Sequence, residues 1–235
     1  MKWVIFLKYL IALLFLFCMA PLQAQIVPFE AQYQIRWHGL NAGESLHRLI
    51  PYEGHYRFIA KTQPHLIFLP FQYYEICDFQ WKNNTIAPLR FSFEHHEGKV
   101  QRSGVMTFDP KQKTITQTGR DPWQIAFVPG TQDKLSHTLL LQETLKQHPE
   151  KTHWTYEVAD HGTIQTVTIA VLGTEKIKTG LGKFEAIKVE HHKGNKMQLL
   201  WFAPSLDYTL VKVQQYRNGK LFIAGEISYY EKLEH

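Results

Sequence analysis

Two cysteines are too few to staple this chain. Cys18 lies in an apolar N-terminal stretch that reads as a leader, so its removal leaves Cys77 alone and no internal disulfide can form. The glycine and histidine motifs of catalysis are missing as well. There is no Gly-x-Ser-x-Gly elbow, no His-Glu-x-x-His pair and no glycine-rich loop to cradle a phosphate, so the common serine-hydrolase, zinc-protease and nucleotide-binding signatures are not present. Charge of one sign is scarce too. The formal net charge is +5, and loss of Lys2 and Lys8 with the leader lowers it to +3. The basic residues are scattered among acids, which argues against nucleic acid. After the leader no apolar run approaches the roughly 20 residues of a membrane-spanning helix.

The leader itself is Met1–Ala24. Lys2 and Lys8 give a positive start, Tyr9–Ala20 is uninterrupted and apolar, Pro21 breaks it, and Leu22-Gln23-Ala24 offers a cleavage site before Gln25. Retention of this segment as an anchor is the alternative. Lipidation is disfavoured, because bulky Phe17 precedes Cys18. Export to the periplasm or beyond is the expectation, with residues 25–235 forming one β-rich domain.

What the chain does have is alternation. Phe29, Ala31, Tyr33, Ile35 and Trp37 point one way and Glu30, Gln32, Gln34 and Arg36 the other, the pattern of a strand with one buried and one wet face. Tyr56-Phe58-Ala60, Leu89-Phe91-Phe93 and Ile187-Val189 repeat it. Turns are expected at Gly39–Gly43, Tyr52–Gly54, Asn83-Asn84, Glu97-Gly98, Asp109–Lys113 and Asp160–Gly162. Asn218-Gly219 suits a type I′ hairpin between Leu210–Arg217 and Lys220–Tyr230. About a dozen strands result. One segment differs. Gln132–Gln147 reads as a helix, capped by Thr131 or Asp133 and stopped by His148-Pro149. Leu135, Leu139, Leu141 and Leu145 fall on an arc of about 160°, wide enough to lie across a sheet. The predicted fold is therefore mainly β, an antiparallel curved sheet or incompletely closed barrel with one α-helix packed across it. The helix is the seam between two strand groups, and a two-sheet sandwich is the second choice.

Several stretches carry a resemblance. Pro28–Tyr33 with Gly39–Glu44, Pro129–Ser136, Gly180–Val189 and Leu200–Tyr208 are similar, in order, to a bacterial exported family known as a domain of unknown function, number 3108. One departure is Thr209-Leu210, where that pattern has a proline. The resemblance implies an envelope-located β-rich domain and supplies no activity or site residue. Gly43, Gly180 and Gly182 also read plainly as turn or bulge positions.

Candidate chemistry is thin. His95-His96 and His191-His192 sit in predicted strands, where neighbours face opposite sides, so neither pair clasps one ion by itself; His95 and His191 meet only if the fold brings them together. Ser136-His137 diverge by about 100° on the helix. Cys77 reads as a half-buried core residue, and Glu75, Asp78, Glu94 and Glu97 as strand and turn decorations. No metal or other cofactor is expected.

The aromatic residues, 14% of the chain, are more telling. Leu66–Tyr74 is the densest cluster, and Pro64 and Pro70 bracket a strand–loop–strand link within this region. It either plugs one end of the sheet or lines a pocket. Phe68, Phe71, Tyr73, Tyr74, Trp81, Trp123 and Trp201 are the candidate ligand-lining residues, with Trp154 near them. The expected function is non-enzymatic binding of an apolar or amphipathic ligand: a lipid, a lipoprotein or an envelope polymer. A scaffolding protein that offers strand edges or the 66–74 loop to an envelope protein is the alternative. A hydrolase with an unrecognised site ranks last.

Overall fold

The computed structural model describes residues 26–65, 71–193 and 196–234. The leader and the 66–70 part of the aromatic cluster, Phe68 included, lie outside the described residues. The first half of the chain is an antiparallel meander: β1 (Phe29–Trp37), β2 (Leu40–Tyr52), β3 (His55–Pro64), β4 (Phe71–Lys82), β5 (Thr85–Glu97), β6 (Val100–Asp109), β7 (Thr114–Gly119) and β8 (Trp123–Ala126). Helix α1 (Ser136–Gln147) follows, and then a second meander: β9 (His153–Asp160), β10 (Thr163–Lys178), β11 (Lys183–Lys193), β12 (Lys196–Ala203), β13 (Thr209–Arg217) and β14 (Lys220–Lys232). All fourteen strands form one sheet in the order β8-β7-β6-β5-β4-β3-β2-β1-β14-β13-β12-β11-β10-β9. The seam is the antiparallel pairing of β1 with β14, from Phe29 opposite Lys232 to Trp37 opposite Ile223.

The sheet curls but does not close. No ladder joins β8 to β9, although a Cβ on Gly162, in the β9–β10 turn, would lie 3.3 Å from the Trp123 ring of β8. Tight turns make the meanders possible. His38-Gly39, Glu53-Gly54, Asn83-Asn84, His161-Gly162 and Asn218-Gly219 all have positive φ at both residues, the geometry whose twist matches that of paired strands. The first turn is shorter than Gly39–Gly43 suggests. Strand β2 already begins at Leu40, and Gly43 lies inside it, beside the bulge between Ile35 and Arg36 in the pairing with β1. Strand β13 starts at Thr209, which is buried and paired with Ala203, so the missing proline leaves room for a ladder bond.

The helix begins four residues later than its leucine pattern suggests. Gln132 is drawn into a parallel bridge on β9: its N–H donates to Glu157 O (2.8 Å), and Ala159 N–H donates to Gln132 O (2.9 Å). Asp133 Oδ1 then accepts from the N–H groups of Leu135 and Ser136, while Asp133 N–H donates to Ser136 Oγ. This reciprocal arrangement satisfies the free amides of the first turn and makes Asp133 the cap. The helix ends at His148, whose N–H donates to Thr144 O. Leu135 and Leu139 enter the core shared with the first meander, and Leu141 and Leu145 enter a second core against β9–β13. Burying four leucines stabilises the fold by up to about 6–12 kcal/mol.

Candidate functional site

Register decides what the concave face offers. Residues directly opposite on paired strands share a face, so each row across the sheet can be read in turn. Phe29, Leu49, Phe58, Cys77, Phe91 and Met106 form one row, and all six are buried in the core. The next row, toward the β1–β2 turn, is mixed: Ala31, His47, Ala60, Glu75, Phe93 and Gly104. The third is polar apart from its first ring: Tyr33, Ser45, Thr62, Tyr73, His95 and Arg102. The concave face therefore grades from apolar to charged within three rows.

A cleft of about 560 Å³ opens over the two polar rows. Its floor includes Ala60, Phe91, Phe93, Met106 and Leu135, and its rim carries Glu97, Arg102, Arg120, Asp121 and His161. Gln198 of β12 and Gln215 of β13 line it from the second meander, so both halves of the sheet contribute. Phe93 can lie flat because Gly104 stands opposite it. A Cβ there would sit 2.9 Å from the Phe93 ring.

Inside the cleft the polar groups are paired. Glu75 Oε1 accepts from His95 Nε2 at 2.8 Å, with both side chains largely buried. The His95 ring meets Tyr73 edge-on at 4.9 Å between centroids, and Tyr73 O–H donates to Glu97 Oε1 at 2.7 Å. Burial first, and then the bond to Glu97, pushes the Tyr73 phenol far up. His47 packs against Tyr33 (4.7 Å) and edge-on against Phe58 (5.6 Å). Burial takes its pKa down to about 4, with nearby Glu75 opposing, so the ring is neutral at pH 7. Ser45 and Thr62 hydroxyls bond each other at 2.9 Å. At the helix start, Lys134 pairs with Asp160 at 2.9 Å.

The aromatic candidates scatter. Tyr73 is in the cleft, and Phe71 stacks on it at 6.2 Å. Tyr74 faces the other side of β4 and lines a shallower hollow with Ile76 and Arg90. Trp81 lies toward the opposite end of the same strand, beside Pro51, Gly54 and Tyr56. Trp123 packs on the core near Gly162. Trp201 is buried on the opposite face of β12 from Leu200 and Phe202. Its indole N–H donates to Glu175 Oε1 (2.8 Å), and Lys188 and Lys212 lie over the ring. The tryptophans thus do not wall a single interior. His191 is buried and stacks on His137 at 5.4 Å, whereas His95 belongs to the Glu75 pair. Among the described residues no cluster of three or more His, Cys, Asp or Glu is placed to hold a metal ion.

Nothing local in the sequence marks His47, Arg102, Gln198 or Gln215, and Glu75 and Glu97 read there as strand and turn decoration. Their convergence depends on register across many strands. The one local signal was polar residues at the inward-facing positions of otherwise alternating strands, such as Glu75 two residues before Cys77.

The family model for a protein of unknown function (DUF3108) matches residues 32–222, most of the chain. The chain belongs to that family. The stretch matched by DUF3108 runs from β1 into β14 and so includes every strand that lines the cleft. No curated protein matches this DUF3108 chain. Among solved structures it is similar to a Bacteroides fragilis protein named for export and for a YmcC-like fold, at 10% identity and a TM-score of 0.36, covering 88% of this chain and 97% of that one. A likeness at that level decides neither fold nor function. No described helix is long and apolar enough to cross a membrane.

Proposed function

We propose that this DUF3108 protein is exported and acts without catalysis, holding the polar end of an amphipathic ligand such as a lipid in the cleft between its two meanders. The observation that carries this reading is the gradient across the cleft. Apolar Phe91, Phe93, Met106 and Leu135 lie beneath a rim of Glu97, Arg102, Arg120 and Asp121, in a volume of about 560 Å³. Small-molecule sites commonly have this size and this mixture of apolar wall and few polar anchors. The leader-like Met1–Ala24 supports export.

Acid–base catalysis is the second reading, favoured by one observation, the 2.8 Å contact of His95 with Glu75 beside His47. It ranks lower because the nearest hydroxyls have other roles. Ser45 and Thr62 are bonded to each other, and the Tyr73 phenol is driven up by burial and by Glu97.

Native mass spectrometry of the protein recovered from cells tests the first reading. A co-purifying amphipathic species is expected, and it is lost when Arg102→Glu and Arg120→Glu reverse the rim. A bare protein that takes up neither phospholipid nor fatty acid overturns it. Turnover that vanishes in His95→Asn, with ligand retention intact, would establish the second reading instead.

A further inference from the structure

Antiparallel pairing sends every hairpin from an odd strand to the next even strand toward the same end of the sheet, and the β1–β14 seam keeps the two meanders in step. The cleft opens at this end, since Glu97, Arg120 and His161 of its rim lie at the β5–β6, β7–β8 and β9–β10 turns. Among the described residues, three large apolar side chains stand exposed on these hairpin tips. They are Leu40 (64% exposed) at the start of β2, Val100 (40%) at the start of β6 and Leu221 (38%) near the start of β14. Two of the tips abut, because His38 N–H donates to Phe222 O at 3.2 Å.

Around these residues the exposed charge is mostly of one sign. Arg36, Lys99, Arg102, Arg120, Arg217 and Lys220 all lie on these tips or on the strand ends beside them, and all are exposed. Acids at this end are fewer. Glu44 accepts from Gln34 and lies beside His65, Glu97 accepts from Tyr73, Asp160 is paired with Lys134, and Asp121 sits beside Arg120 in the chain. The far end also carries exposed cations, Lys82, Lys111, Lys113, Lys178 and Lys183 against Glu53, Asp109 and Asp207; what sets the near end apart is that its cations and apolar side chains surround the cleft mouth.

We infer that the hairpin tips around the cleft mouth dock on an anionic lipid bilayer, with Leu40, Val100 and Leu221 entering the headgroup region and the tip cations facing acidic headgroups. This deepens the ligand-binding reading, on which it partly rests, by naming the surface at which an amphipathic ligand enters or leaves. A bilayer fits better than a protein partner. Among the described residues the exposed apolar side chains at this end are few and each has a cation near it in sequence, Lys99 before Val100, Lys220 before Leu221 and Arg36 four before Leu40, whereas a protein interface has a broad contiguous apolar core. Shallow insertion of scattered apolar side chains aided by basic residues is how soluble proteins sit on anionic membranes.

Vesicle co-sedimentation tests the proposal, comparing phosphatidylcholine alone with phosphatidylcholine mixed with phosphatidylglycerol. Binding is expected only to the mixed vesicles and should weaken with salt. Lys99→Glu with Lys220→Glu should weaken it by at least about 25-fold, roughly fivefold for each cation removed. The triple substitution of Leu40, Val100 and Leu221 to Glu should cost at least about tenfold. Leu181→Glu, on the β10–β11 turn at the far end, should change nothing. These sites are exposed, so unfolding midpoints should hold and serve as the folding control. Equal binding to both vesicles, no binding to either, or a Leu181→Glu effect as large as the triple overturns the docking surface. Loss of vesicle binding by the tip variants while a ligand still co-purifies supports two separable functions. Intact vesicle binding by a protein that never carries ligand supports the docking surface and removes the cleft reading alone.

Discussion

The Cys77 thiol donates to Asp133 Oδ2 across 3.0 Å, joining positions 56 apart in the chain. The same carboxylate caps α1 through Oδ1. One buried side chain thus fastens the start of the helix to the middle of the first meander, and both partners are sealed from solvent.

Asp133→Ala is therefore expected to be among the most damaging single substitutions. It removes the cap and so leaves two helix amides without an acceptor, about 1 kcal/mol, and strands the buried thiol, about 1–3 kcal/mol more. Cys77→Ala should cost about 1–3 kcal/mol, and Cys77→Ser less, since a hydroxyl still donates to Asp133. Urea unfolding of the three variants checks the order.

The lone thiol should also be inert. Burial, and then the neighbouring Asp133 charge, pushes its pKa well up, so thiolate is scarce at neutral pH. A thiol-labelling reagent should leave the native protein unmodified for hours and react at once in denaturant. Rapid labelling of the folded protein would contradict this placement of Cys77.

Acid should weaken the fold through His47. Its pKa falls from 6.5 to about 4 on folding, so between those values the unfolded chain binds a proton that the native one does not. Stability then drops as pH falls through that window, by up to about 3 kcal/mol for this group. Asp133 and Glu143, whose carboxyls burial pushes up, act in the opposite sense: they favour the native state at low pH and lose that contribution as pH rises. His47→Gln should flatten the loss on acidification, as measured by denaturant midpoints across the window.

Gly43 should tolerate no side chain. A Cβ there would collide with the carbonyl oxygen of Gln63 on β3, which is backbone and cannot swing away. Gly43→Ala is expected to cost about 2 kcal/mol or more. Gly104→Ala meets the Phe93 ring at 2.9 Å and the Thr118 carbonyl oxygen at 3.0 Å, looser than the clash at Gly43, so it should cost less while pushing Phe93 aside and reshaping the cleft. Thermal unfolding separates the two.

Local pattern carried most of the fold. Phe29, Ala31 and Tyr33 alternate and are buried, and Asn218-Gly219 turns where its φ tolerance requires. The start of α1 is not legible in the sequence, because leucine spacing says nothing about a β-bridge at Gln132. The cleft was less legible. Tyr73 was singled out for its aromatic ring, yet its partners Thr62 and His95 are opposite it only through the register of β3, β4 and β5. Trp201 shows the converse. An aromatic residue in a strand next to buried Leu200 and Phe202 still faces away from them, because side chains alternate.

The β1–β14 seam joins strands about two hundred positions apart, whereas every other ladder links neighbours in sequence. Each meander can zip up quickly by short-range hairpins, but closing the seam needs the slow encounter of distant segments. Until that meeting, β1 and β14 each display a row of unsatisfied amides and carbonyls, ready to pair with any passing extended chain. Before the seam closes the chain thus has two long edges that the finished sheet lacks, beyond those of β8 and β9, and protection against self-association in that interval requires both β1 and β14 to be shielded.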